Sequence, residues 1–245
     1  MNEPVYAATL VVLEILFTLM LLAVLRSSGA RAPLLTVIGS TCMLWLAGVY
    51  LLLANGFFSA TGLPQLAFFL TVVLLTAIGF LMACAWRPLR EVVDAISTRD
   101  VLRLQQMRAV FGVMFFFTAA LPLWFQYLGG LGDIAAGIGA FLALRHLRTG
   151  SDRLDADRER RAIIGGNLVG ILDFVVVLTL GVLIVLRDHS PDIAFDLIPL
   201  YVVPIFLLLH LVSLQRLTTL GAASDAPGRR EQAATRGTPT VDPSA

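Results

Sequence analysis

Four ionisable side chains, Glu14, Asp133, Asp173 and His210, stand inside long apolar stretches of the chain. A carboxylate in hydrocarbon costs at least ~2.5 kcal/mol even on the most forgiving insertion scale, so such a group faces protein or water and commonly serves a function. Glu14 lies nine residues into the first stretch and Asp173 ten into the sixth, which sets both near the middle of a bilayer.

Asp173 has the fullest context. On a helix turning about 100° per residue, Gly166, Gly170, Asp173, Val177 and Gly181 share one stripe, with Asn167 and Phe174 at its edge. Gly166 and Gly170 form a small-xxx-small pair that permits close helix approach, so Asp173 is expected to point into a bundle. His210 shares a face with Pro199, Val203, Phe206 and Ser213, at a depth similar to Asn167. Asn167, His210 and Asp173 thus outline a polar track from the midplane towards one surface, suited to relaying a proton. A second reading has His210 donating to a carbonyl freed by Pro199 or Pro204.

Asp133 opens the fifth stretch on a face with Ala136, Gly137, Ala140 and Leu144, which suits packing on the glycine stripe of the sixth. An acid in a first helical turn is equally explained by the helix dipole. Glu14 has no evident partner; an arginine, or a proton shared with Asp173, would each satisfy it.

These residues require long helices to position them. The expected spans are 5–25, 34–54, 66–86, 109–125, 131–147, 163–186 and 197–217, near the ~20 residues needed to cross a core about 30 Å thick. Composition agrees: 58% hydrophobic residues, 14% charged and a mean hydropathy of +0.84 belong to an all-α polytopic membrane bundle. The 18 basic residues are all arginine, and all but Arg187 fall after the odd-numbered spans. The positive-inside rule then sets the N-terminus outside and the C-terminus in the cytoplasm. No cleavage site follows the first span, which is expected to be retained.

Between the spans, Leu89, Val92, Val93 and Ile96 recur at helical spacing among charges, which predicts a short interfacial helix. Ser97 with Asp100 reads as the cap of the next helix. The alternating charges of 152–161 read as a solvated extension of the sixth span. In 187–192, Ser190, Pro191 and Asp192 read as a helix start rather than a metal site. Residues 221–245 are expected to form a disordered cytoplasmic tail.

Gly132-Asp133-Ile134-Ala135-Ala136-Gly137, Asn167 with Gly170 and Asp173, and Ile198-Pro199 through Pro204 to His210 together resemble a pattern recurring in an uncharacterised family of small bacterial multi-pass membrane proteins. The resemblance covers the last three spans and implies a shared polar cluster without a named activity. It also implies a bacterial cytoplasmic membrane.

Several chemistries are excluded. A retinal Schiff base needs a lysine, and the chain has none. The three histidines, His146, His189 and His210, fall at different depths, against a zinc site built from them. Cys42 and Cys84 lie in separate spans and read as small apolar residues. With a net charge of +1, nothing points to nucleic acid. No catalytic centre, metal or cofactor is expected. The expected partners are the lipid bilayer, a small solute or proton, and a second copy of the chain. The leading expectation is proton- or ion-coupled movement of a small solute past Asp173, Asn167, His210, Asp133 and Glu14, with Gly166, Gly170 and Gly137 serving helix packing. The alternatives are an intramembrane enzyme acting on a lipid or quinone, and a non-catalytic assembly or sensory partner.

Overall fold

The computed structural model describes residues 3–58, 63–118, 121–148, 156–188 and 193–224, and among these every regular element is helical. In chain order they are α1 Glu3–Ser27, α2 Ala32–Ala54, α3 Leu63–Ala85, α4 Arg87–Ala95, α5 Thr98–Gln105, α6 Met107–Met114 with a 3-10 turn Phe115–Phe117, α7 Leu123–Arg148, α8 Ala156–Asp188, α9 Ile193–Leu197, a π-helical turn Ile198–Val202, and α10 Val203–Ser224.

The helix ends follow from local chemistry. Gly29 and Gly56 adopt φ of +97° and +66°, and each lets the chain close a Schellman turn, with Ala30 N–H donating to Leu25 O and Phe57 N–H to Leu52 O. Pro33 and Pro88 sit in the first turns of α2 and α4, where a missing N–H costs nothing. Ser97 caps α5: its hydroxyl accepts from Asp100 N–H and donates to the Asp100 carboxylate at 2.6 Å.

Six of the described helices are long and apolar enough to cross a membrane, and they carry many exposed Leu, Val, Ile and Phe side chains on their outer faces, as a lipid-facing surface does. The chain is a multi-pass helical membrane protein. Burial is uneven. In the last span, Phe195–Leu217, 61% of the apolar window is buried, against 11% in Ala67–Ala85. α10 is therefore the central helix, and α3 lies at the periphery.

The expected fourth span, 109–125, is not a single helix. α6 passes into the 3-10 turn, Thr118 is extended, and the next helix begins only at Leu123, after Pro122. The helical run instead starts earlier. α5 and α6 follow one another from Thr98, broken only at Gln106, and with the 3-10 turn they extend roughly 30 Å. This shift carries Arg108 from an expected loop into the bundle.

α7 likewise starts at Leu123 rather than Leu131. Asp133 is thus ten residues inside a helix, and the dipole explanation for it fails. The glycines before it are helix interior because neighbours fill the space of their missing side chains: a Cβ on Gly130 would meet Gly112 O at 2.9 Å, and one on Gly129 would meet the Phe115 ring.

α4 is a short amphipathic helix with Val92 buried, and Ile96 beyond it is buried too. Arg216, two turns before the end of α10, donates to the carbonyls of Val93, at 3.1 Å, and Ile96, while Arg99 donates to Leu147 O at 3.2 Å. Arginines on this side thus donate to carbonyls near the ends of α4 and α7. α10 stays helical to Ser224, so residues 221–224 of the expected tail are ordered helix, and 225–245 lie outside the described residues. The expected charged extension lies outside them up to Asp155, and so does His189–Asp192, including the Ser190 cap.

Candidate functional site

α6, α7, α8 and α10 converge on Arg108, whose side chain is completely buried. A guanidinium carries five N–H donors in a fixed plane, and each one here has an acceptor. Nε donates to Asp133 Oδ1 at 2.7 Å, and Nη2 bridges the same oxygen at 2.7 Å and Asp173 Oδ2. Nη1 donates to Gly170 O at 3.0 Å and to His210 Nε2 at 3.2 Å. The Phe174 ring lies 3.9 Å from Cζ and covers one face of the cation.

Glycine shapes this meeting. A Cβ on Gly170 would approach His210 Cε1 to 2.5 Å and Arg108 Nη1 to 2.7 Å, so any larger residue would push both groups away. A Cβ on Gly132 would enter the Asp173 carboxylate. Gly137 lets α7 approach the Ala109 backbone, where a Cβ would lie 2.6 Å from N, and Gly166 faces the flexible end of Leu102 at 2.8 Å. Gly137 serves packing between α6 and α7, whereas Gly170 directly makes room for the charged centre.

The network continues along α8 and α10. His210 Nδ1 lies 2.6 Å from Asn167 Oδ1, which can only accept, so Nδ1 carries the proton and Nε2 is free to accept from Arg108. The imidazole is neutral in this arrangement. Asn167 Nδ2 donates to Ile163 O at 2.7 Å and to Ser213 Oγ at 2.8 Å, and the Gln105 carboxamide approaches His210 Nδ1 at 3.3 Å. Ser213, Asn167, His210, Arg108 and the two aspartates thus form one continuous buried path.

Four of the five residues expected to share a polar cluster, Asp133, Asp173, Asn167 and His210, meet through Arg108. Glu14 does not join them. Its side chain is buried on α1 and neither carboxylate oxygen has a hydrogen-bond partner. Phe17, one turn further along α1, is the residue that reaches the cluster's surroundings, stacking with Phe206 at 4.9 Å and Phe111 at 6.0 Å between ring centres. The carbonyl that Pro204 leaves without a helical donor, Leu200 O, accepts from Trp45 Nε1 at 3.0 Å rather than from His210.

Arg108 and Gln105 are the residues that sequence reasoning missed. Two signals pointed to Arg108: inward carboxylates on two spans with no inward cation to match, and its place on one helical face with Val101, Leu104, Phe111 and Phe115.

The carboxylate side of the cluster borders a cavity of about 60 Å³, walled by Phe115, Phe125, Phe174 and Phe195 with Asp133 and Asp173 at its edge. That volume is large enough to admit water. Two carboxylate oxygens, Asp133 Oδ2 and Asp173 Oδ1, are not taken by Arg108. Among the described residues, no group of three or more His, Cys, Asp and Glu is placed to hold a metal ion. Where Asp133, Asp173 and His210 converge, the guanidinium itself occupies the centre.

No curated protein and no solved structure matches the chain. A family model described as "Domain of unknown function (DUF8737)" matches residues 63–218, which is more than half of the chain and includes every member of the Arg108 network. The chain belongs to the DUF8737 family.

Proposed function

We propose that this protein moves a small solute across a bacterial cytoplasmic membrane in exchange for, or together with, a proton or monovalent cation, and that Arg108, Asp133 and Asp173 form its ion-binding centre. The observation that carries the reading is the charge count of the buried site. One guanidinium faces two carboxylates while His210 is neutral, so the site holds one negative charge in excess when both acids are ionised. An uncompensated charge is expensive in a medium of low dielectric, so a proton or cation must occupy the site for part of any cycle.

The two carboxylate oxygens that Arg108 leaves free are the receiving atoms. The small cavity beside them supports access from the end of the bundle that carries few arginines, and the His210–Asn167–Ser213 path supports a route towards the arginine-rich end. In this reading the arginine-rich end faces the cytoplasm and the N-terminus lies outside. A metal-dependent lipid or quinone enzyme fits less well, since the guanidinium stands where a divalent ion would bridge the same ligands.

The test is proton flux into dye-loaded proteoliposomes under an imposed membrane potential. Wild type is expected to conduct above empty liposomes, and Asp173→Asn, which removes the excess charge, is expected to lower the rate at least tenfold with normal insertion. Equal rates for wild type, variant and empty vesicles would sink the reading.

A further inference from the structure

We infer that Glu14 is a second proton-binding site, a neutral carboxyl group held inside the bundle apart from the Arg108 network and outside the region that defines the family. The inference stands whether or not the Arg108 centre drives transport.

Three observations carry it. The Glu14 side chain is wholly buried (0% exposed), closed off from bulk water and from lipid headgroups at the protein surface. Neither of its oxygens accepts a hydrogen bond. The hydroxyls near it are already committed. Thr18 Oγ1 donates its one proton to the Glu14 backbone carbonyl at 2.8 Å, so the Tyr201 phenol must donate to Thr18 Oγ1, 2.5 Å away, and neither proton remains for the carboxylate.

The charged and titratable groups on the helices packed against α1 offer no counter-ion. On α2, Cys42 lies against Tyr201, and Trp45 gives its N–H to Leu200 O. The π-helical turn supplies Tyr201, α9 brings the acid Asp196, α5 brings Arg99, which donates to Leu147 O, and Arg103, which pairs with Asp100, and α6 brings Arg108, whose donors go to Asp133, Asp173, Gly170 and His210. A carboxylate in that setting has nothing to stabilise its charge, whereas a carboxylic acid needs no counter-ion. The site also adjoins the one π-helical turn among the described residues, a distortion frequent at functional positions.

A neutral buried acid has its own reactivity. With a dialkyl carbodiimide, the Glu14 O–H proton passes to one carbodiimide nitrogen as the carboxylate oxygen bonds to the central carbon. The O-acylisourea then shifts its acyl group from oxygen to nitrogen and leaves a stable N-acylurea, with nothing released. An ionised carboxylate held by arginine lacks the proton that starts this sequence.

The experiment is infrared spectroscopy on the full-length protein in lipid, comparing wild type with Glu14→Gln and with Glu14→Leu. The expected difference is loss of one deuterium-sensitive carboxylic C=O band, with carboxylate bands unchanged. Loss of carboxylate bands instead would show Glu14 ionised and overturn the inference. Glu14→Leu guards against a specific defect of glutamine, since either neutral side chain suffices to read the band. Incubation with dicyclohexylcarbodiimide gives a second reading: the adduct is expected on the Glu14 peptide, persisting in Asp173→Asn. An infrared result without the C=O loss overturns the proposal whatever the labelling shows.

Discussion

Two buried acids of this molecule are treated in opposite ways. Asp173 on α8 receives a guanidinium that also holds Asp133 and His210, so its charge meets a cation, although one cation serves two acids. Glu14 on α1 receives nothing, although it is the more deeply buried of the two. The difference is one of partners rather than depth. Four helices of the family region are brought close by Gly112, Gly132, Gly137 and Gly170 around one cation, whereas the N-terminal helices pack on that core through Phe17 and Tyr201. A matched site is costly to break and a neutral one is not, and the contrast can be tested by substitution.

Removal of the guanidinium should have the largest effect. Arg108→Ala leaves two carboxylates facing each other in a buried space, and loss of one partner of a buried pair costs about 3–5 kcal/mol. The expected outcome is loss of most folded protein in detergent, read as a collapsed monodisperse peak and a large fall in thermal midpoint. Arg108→Lys should rescue little, because an ammonium has three donors where five acceptor contacts are made. Asp173→Asn should be far milder than Arg108→Ala, since one carboxylate then balances one guanidinium. A stability loss as large as that of Arg108→Ala would break the charge-matching account.

Next in size are the glycines that make room for the charged centre. Gly170→Ala places a methyl group against His210 and Arg108, and Gly132→Ala places one in the Asp173 carboxylate. Overpacking of this kind costs about 1–3 kcal/mol. Gly139→Ala is the control, because its Cβ would meet only Val169 at 3.9 Å. Thermal unfolding of the three variants in parallel should separate the first two from the third; equal midpoints would mean that the close approach at Gly170 and Gly132 is not needed.

Much of this arrangement was legible in the chain itself, for reasons particular to each residue. Asp133, Asp173, Asn167 and His210 are anomalous in apolar helices, and the cost of burying them forces them towards one another. The helical stripe containing Gly166, Gly170 and Asp173 showed which way α8 turns. Arg108 was hidden by its neighbours: it borders an apolar run and follows Arg99 and Arg103, so the positive-inside pattern absorbed it as a loop charge. Only the unbroken apolar face from Val101 to Phe115 distinguishes it from Arg103, whose side chain is half exposed. The start of α5 was legible in its Ser97 cap, but its continuation into the fourth span was hidden because Thr98–Gln105 is too polar to read as membrane helix, and the true start of α7 was hidden because Gly129–Gly132 is too rich in glycine to read so without the tertiary contacts that stabilise it.

A smaller effect is expected at the junction of the two regions. Trp45→Phe removes the indole donor to Leu200 O, the carbonyl that Pro204 leaves without its usual partner. An unsatisfied buried carbonyl costs about 1–3 kcal/mol, reduced here to the extent that the π-helical turn can relax. The expected result is a modest drop in thermal midpoint together with faster amide exchange in 198–205. Unchanged exchange would mean the turn is held by α10 packing alone.

The smallest effect is expected at Glu14, and there the near-absence of change is informative. Glutamine matches the shape of a carboxylic acid and is equally uncharged, so Glu14→Gln should leave the thermal midpoint at neutral pH close to that of wild type. If Glu14 instead carried a charge met by an unseen partner, the substitution would strand that partner and destabilise the protein as other broken buried pairs do, by about 3–5 kcal/mol. The same substitution therefore separates the two regions: amide for acid is silent where the acid is already neutral, and at Asp173 it alters the charge on which the neighbouring guanidinium depends.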